Sequence, residues 1–225
     1  MVTYRSILIL LGCFAVWSVA VAAGWAVPVD AAATNAMAAI RSPALTEVAT
    51  NFTALGSAPV VSVAVLLAVL YCLASARPRY ALAMLWTPAA FLSCELVKLI
   101  VHRPRPAQAL IVVPTSFAFP SGHTAAATAL FVTLALLAAA GERRAGPHRL
   151  LIGSGIGIAV LVGWSRVYLG VHYFSDVVGG FLLGAGGAVA AILVIRRAER
   201  GSGVQTNNTS YQTGRKGLRG SDEQH

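Results

Sequence analysis

Six apolar runs long enough to cross a bilayer, at about 7–27, 59–76, 80–101, 121–140, 150–168 and 174–195, leave this chain few architectures to choose from. A hydrocarbon core roughly 30 Å thick is spanned by about 20 helical residues at 1.5 Å each, and each of these runs reaches or approaches that length. The expected fold class is all-α: a polytopic membrane protein, a bundle of about six transmembrane helices. Composition points the same way. Of the 225 residues 57% are hydrophobic and only 11% charged, against about 25% charged in a soluble domain. A net charge of +9 would suggest nucleic acid as the partner of a soluble chain. Here the basic residues gather at the ends of apolar runs, where membrane topology places them, and no nucleic-acid partner is expected.

Taken in order, the first run follows Tyr4 and Arg5 and exceeds the roughly 7–15 apolar residues of a secretory signal, so an uncleaved span is expected. Pro28 and Asp30 end it. Residues 30–57 mix Thr, Asn, Arg41, Pro43 and Glu47 with apolar positions and suit a short amphipathic helix on the membrane surface. Arg77-Pro78-Arg79 leaves room only for a tight loop between the second and third runs. Gly153, Gly155, Gly157 and Gly163, then Gly180 and Gly184, are spaced to let membrane helices approach closely. Cys13, Cys72 and Cys94 lie inside apolar runs without metal-type spacing and read as small core residues. The organisation expected is one membrane domain over 1–199 and a disordered cytoplasmic tail over 200–225, where Gly, Ser, Asn and Gln leave little to bury.

With the N-terminus inside, the clusters Arg77/Arg79, Arg143/Arg144/Arg149 and Arg196/Arg197/Arg200 fall on the cytoplasmic side. Lys98, His102, Arg103, Arg105 and Arg166 then lie on the outer face, against the rule. A second demand holds positive charge there. Three polar intervals meet at that face: Lys98 with Arg105-Pro106, Pro120-Ser121-Gly122-His123, and Ser165-Arg166 through His172 to Asp176. Ionisable residues at such a boundary are costly unless they pair or hold a ligand. Taken singly each has a plain alternative, since Lys98 can snorkel, Arg105 can be a solvated loop charge and His123 can cap a helix. Together they offer three cations, two imidazoles, one carboxylate and a helix start at Ser121-Gly122. The spacing of four from His172 to Asp176 lets the carboxylate orient the imidazole, and bidentate arginines with helix-start amides suit phosphate.

The pattern Lys98-x₆-Arg105-Pro106, Pro120-Ser121-Gly122-His123, Ser165-Arg166-x₅-His172-x₃-Asp176 resembles the three-part signature of the type 2 phosphatidic acid phosphatase superfamily, which includes lipid phosphate phosphatases and vanadium haloperoxidases. The resemblance covers about residues 50–195 and fills every signature position. It implies that His172 attacks phosphorus to form a phosphohistidine, that Asp176 orients it, and that His123 protonates the leaving oxygen and later activates water. It also implies that Lys98, Arg105, Arg166, Ser121 and the Gly122 amide hold the phosphoryl oxygens. No metal or other cofactor is implied, because divalent sites want clustered carboxylates and Asp176 is the only one in the three motifs. Glu95, one turn before Lys98, is spaced to position that lysine. His102 and Arg103 fall outside the signature and are left to the substrate head group or to solvent.

The expected function is hydrolysis of a membrane lipid phosphate at the outer face of the cytoplasmic membrane. A polyprenyl diphosphate is favoured over a glycerolipid phosphate. The alternatives are phosphotransfer to an acceptor other than water, and a non-catalytic lipid-phosphate binder or transporter. The paired histidines speak against the latter, since holding an anion needs the cations but not an acid and an oriented nucleophile.

Overall fold

The computed structural model describes residues 3–112, 115–140 and 145–219. Among these residues the chain forms helices and no strands. Five helical stretches are long and apolar enough to cross a membrane: α1 (Tyr4–Ala22), the pair α5 (Pro78–Met84) and α6 (Trp86–Val101), α7 (Gly122–Ala140), α8 (Ala145–Tyr168) and α9 (Phe174–Arg219). A sixth exists if α3 (Pro43–Ala54) and α4 (Ala58–Ala74), bent by 44° at their junction, count as one broken span. Of the basic loop Gly141–Arg149, the residues 141–144 lie outside the described ones, as do residues 220–225 of the tail.

Helix α7 is the centre of the bundle. Its Ala125, Ala126, Ala127, Ala129 and Leu130 are fully buried, and α8 and α9 pack along its flanks. Glycine makes the α7–α9 contact possible: a Cβ on Gly180 would lie 2.6 Å from the Ser121 carbonyl oxygen, and one on Gly184 2.6 Å from that of Ala125. In lipid, where apolar surface gains nothing by leaving the solvent, such backbone approach is a main source of helix association. Gly155 and Gly163 also sit against neighbouring helices, whereas Gly153 and Gly157 face open space, so the packing expectation holds for the first two only. On the periphery Leu8, Ile9, Leu66, Leu67, Leu96 and Ile100 are all more than half exposed, an apolar surface that belongs in hydrocarbon.

One stretch differs from expectation. Residues 30–57 hold not one surface helix but two, α2 (Val27–Ala39) and α3, broken where Ser42 caps α3 and Pro43 takes its first position. Helix α2 packs onto α8 and α9 and α3 onto α8, and Asp30, Ala49 and Thr53 are buried there. Asp30 therefore does not mark the solvated end of the first run. Helix α9 runs on past the apolar span to Arg219. Extending a helix already nucleated over the apolar span costs less than starting one, even through residues of poor propensity.

Candidate active site

Every site residue expected from the sequence comes to one end of the bundle. Lys98 stands in the last turn of α6, Arg105 on the segment that follows, Ser121, Gly122 and His123 at the start of α7, Arg166 in the last turn of α8, and His172 and Asp176 astride the start of α9. The loop from α8 to α9 is short because Gly170 turns it, with φ +68°, a conformation that favours glycine. A Cβ there would lie 2.5 Å from the Gln108 carbonyl oxygen, so the turn also packs against the Arg105 segment.

The imidazole of His172 is held from both sides. Its Nδ1 lies 3.4 Å from Asp176 Oδ2, which also accepts the Tyr173 amide at 2.8 Å. Its Nε2 lies 3.1 Å from Arg105 Nη1, a group that can only donate. These contacts fix the tautomer: the proton sits on Nδ1 toward the carboxylate, and Nε2 presents its lone pair toward the cations. Burial pushes the imidazole down to about 4 against the opposing pull of Asp176, so the ring is neutral at physiological pH. Arg105 is aimed by its own segment, donating to the carbonyl oxygens of Ser116 at 2.7 Å and Val171 at 2.9 Å.

Charge at this end is unevenly paired. Lys98 donates to Glu95 at 2.7 Å, as the spacing suggested. Arg166 is buried and reaches only the neutral hydroxyl of Thr53, at 2.7 Å, and its Nε has no hydrogen-bond partner among the described residues. Arg105 finds carbonyls, a hydroxyl and His172, but among the described residues no carboxylate. Arg166 is thus left without a carboxylate partner and Arg105 with Asp176 and Glu95 acting on it only at a distance, in a largely buried place, which favours the binding of an anion there. His123 lies within the electrostatic reach of Arg166, His172, Lys98 and Arg105. Of the first amides of α7, that of Ser121 is taken by the Asp176 carbonyl at 2.9 Å and that of Thr124 by the Ser121 hydroxyl at 3.5 Å. The helix-start amides left to face an anion are those of Gly122 and His123.

Sequence reasoning missed a buried ionic layer behind His172. Arg103 neither faces solvent nor waits for a head group: its Nη1 donates to Asp176 Oδ1 and Ser175 Oγ and its Nη2 to Asp30 Oδ2, each at 2.6 Å. Asp30 in turn accepts the Ser175 amide at 2.8 Å and hydroxyl at 2.7 Å. The signal available was an isolated acid beside an apolar run, costly there unless paired. His102 caps α6 in the left-handed region, is exposed, and sets its ring edge-on to Phe117.

Comparison with known proteins matches this arrangement to a family. The PAP2 superfamily model fits residues 66–200, more than half of the chain. The chain belongs to the PAP2 superfamily. It is 35% identical over 162 residues to phosphatidylglycerophosphatase B of Bacillus subtilis, covering 69% of this chain and 77% of that protein. A shorter stretch of 72 residues is 43% identical to an undecaprenyl-diphosphatase of Sulfolobus acidocaldarius, covering 32% of this chain and 31% of that one. The crystal structure of a transmembrane PAP2 type phosphatidylglycerolphosphate phosphatase from Bacillus subtilis superposes with a TM-score of 0.75 at 30% identity, over 87% of this chain and 96% of that one. This PAP2 protein is accordingly a multi-pass membrane phosphatase acting on lipid phosphates.

Proposed function

We propose that this PAP2 phosphatase removes a phosphate from a lipid at the outer face of the cytoplasmic membrane through a phosphohistidine on His172. The observation that carries the reading is the geometry of the His172 ring, with Asp176 behind Nδ1 and Arg105 beside Nε2. In the first step Nε2 attacks phosphorus, the bond to the leaving oxygen breaks, and His123 gives that oxygen a proton. In the second, water attacks the phosphohistidine, the P–N bond breaks, and His123 takes the proton from water. Arg105, Arg166 and Lys98, with the amides of Gly122 and His123, balance the charge on the equatorial oxygens, where most of the stabilisation of such a transfer arises.

A lipid tail has a place to lie. Between α4, the start of α6 and α7 runs an apolar cleft of about 410 Å³ lined by Val61, Val65, Phe91 and Ala126. Phe91 also lies against Gly122, so the cleft begins beside the Pro-Ser-Gly-His stretch. Similarity to phosphatidylglycerophosphatase B along most of both chains supports phosphatidylglycerol phosphate as the first substrate to test, ahead of the polyprenyl diphosphate favoured from the sequence, which the shorter match to an undecaprenyl-diphosphatase supports.

The test is release of free phosphate by the purified protein in detergent from phosphatidylglycerol phosphate, phosphatidic acid and undecaprenyl diphosphate. Turnover of at least one lipid is expected, and turnover of soluble esters alone would overturn the reading. For the membrane face, single cysteines at the exposed Ala107 and Gly146 should label from opposite sides of intact cells, Ala107 from outside.

A further inference from the structure

We propose that Asp30, carried on α2 outside the family signature, is a positioning residue for the His172–Asp176 pair: by sharing Arg103 with Asp176 it sets how much of that carboxylate's charge acts on the imidazole. This inference rests on the reading of His172 as the nucleophile.

The geometry is a chain of four groups from three parts of the sequence. Asp30 Oδ2 and Asp176 Oδ1 each take one terminal nitrogen of the same guanidinium at 2.6 Å, and Ser175 Oγ links Arg103 to Asp30, accepting from the first and donating to the second. Both carboxylates are nearly inaccessible, and Arg103 Cζ lies over the Tyr173 ring, 4.3 Å from its centroid. Docking α2 alone would not need this: the two bonds from Ser175 to Asp30 already tie α2 to α9. Burying three charges where a neutral pair would do is costly, and a split arginine has an electrostatic consequence that a neutral tie lacks. Were Arg103 bound to Asp176 alone, it would offset most of the negative charge that stabilises an imidazolium or a phosphohistidine on His172. Asp30 draws part of that cation away. Arg103 also stands two residues before Arg105, so the same contacts fix the segment that presents Arg105 to Nε2.

The other ionisable groups around His172 are Arg105 on that segment, Arg166 from α8 and His123 from α7, with Asp176 from α9. Substitution at Asp30 or Arg103 removes none of these groups, so opposite shifts in the acid limb of kcat/KM for the two variants report the relay. The limb exists because activity needs the neutral imidazole and is lost as pH falls through its value. Arg103→Gln frees the charge of Asp176, favours the imidazolium and moves the limb to higher pH, by about half a unit or more. Asp30→Asn concentrates Arg103 on Asp176, moves the limb to lower pH, and cuts kcat roughly ten-fold with KM little changed. Asp30→Asn with Arg103→Gln together restores the charge balance, so the limb returns toward the wild-type position.

The measurement is kcat/KM between pH 3.5 and 8 for the full-length protein in detergent on a soluble aryl phosphate. Opposite shifts in the two single variants, partly cancelled in the double, are expected. Lowered activity with unmoved limbs, or limbs moving the same way, would overturn the proposal and leave Asp30 a structural tie. Arg103→Gln leaves two buried carboxylates facing each other and can fail to fold; the isosteric Asp30→Asn then decides, since a limb that stays or rises sinks the idea. Trapped phosphate on acid-quenched protein separates the two readings. If wild type traps it and His172→Ala does not, a failure of the limb shifts falls on Asp30 alone. Trapping on His172→Ala removes the nucleophile reading itself.

Discussion

At one end of the bundle Lys98, Arg166, Asp30 and Asp176 are buried and each has a bonded partner, while at the other Arg77, Arg79, Arg149, Arg196 and Arg197 are exposed at the helix rims. The two ends are made by the same helices. At the exposed end a charge can be removed with little consequence beyond orientation in the membrane, because water already solvates it. At the buried end a charge is tolerated only through specific partners, and Arg105 and Arg166 have none of opposite sign among the described residues. Folding does not require that imbalance, and on the function proposed above a bound phosphate offsets it.

The sharpest way to break the contrast is to remove one imidazole at a time. His172→Ala should lower turnover on the order of 10⁴-fold or more and trap no phosphate on acid-quenched protein, since no atom remains to accept it. His123→Ala should slow lipid hydrolysis comparably yet still trap phosphate from an aryl ester, whose leaving group needs little protonation. Trapping on the first variant or its absence on the second would reverse the roles.

That these two histidines share one end of the bundle was legible because each stands in a short local pattern at the end of an apolar run, and the helices were legible because long apolar runs report themselves. What the sequence hid lies in partners far apart along the chain. Asp30 reaches Arg103 and Ser175 across 73 and 145 positions, and Thr53 reaches Arg166 across 113. Neither Asp30 nor Thr53 sits in a run of like residues, and a lone Asp after Pro28 reads equally well as the end of a span. Glu95 was legible for the opposite reason: its partner is three residues away on the same helix.

Next in size is the cation comparison. Arg166→Met should lower kcat/KM by roughly 10²–10³-fold, the usual loss for one donor to developing charge in a preorganised site. Its melting temperature should stay level or rise, because an uncompensated buried charge is gone. Vanadate, which can mimic the trigonal-bipyramidal phosphorus, should raise the melting temperature of wild type and not of this variant. Arg149→Gln at the exposed end should change activity by less than about two-fold. Equal losses at the two arginines, measured side by side, would mean that position in the bundle does not decide what a charge does.

The smallest effect expected is at Glu95, which sits between the two regimes. Its side chain is 39% exposed while that of its partner Lys98 is 7% exposed, so one member of the pair belongs to the boundary and the other to the site. Exposed ion pairs contribute about 0.2–1 kcal/mol, which bounds the direct loss on Glu95→Gln to a few-fold. The amide keeps an oxygen that can accept from Nζ, so Lys98 keeps its place but loses the neutralising carboxylate. Glu95 also borders the start of α7, its Oε1 lying 3.4 Å from where a Gly122 Cβ would stand, and there its charge repels an incoming phosphate. Removing that repulsion while leaving Lys98 in position should lower KM by a few-fold with kcat nearly constant. A fall in kcat at constant KM would instead make Glu95 part of the machinery that acts only in the transition state.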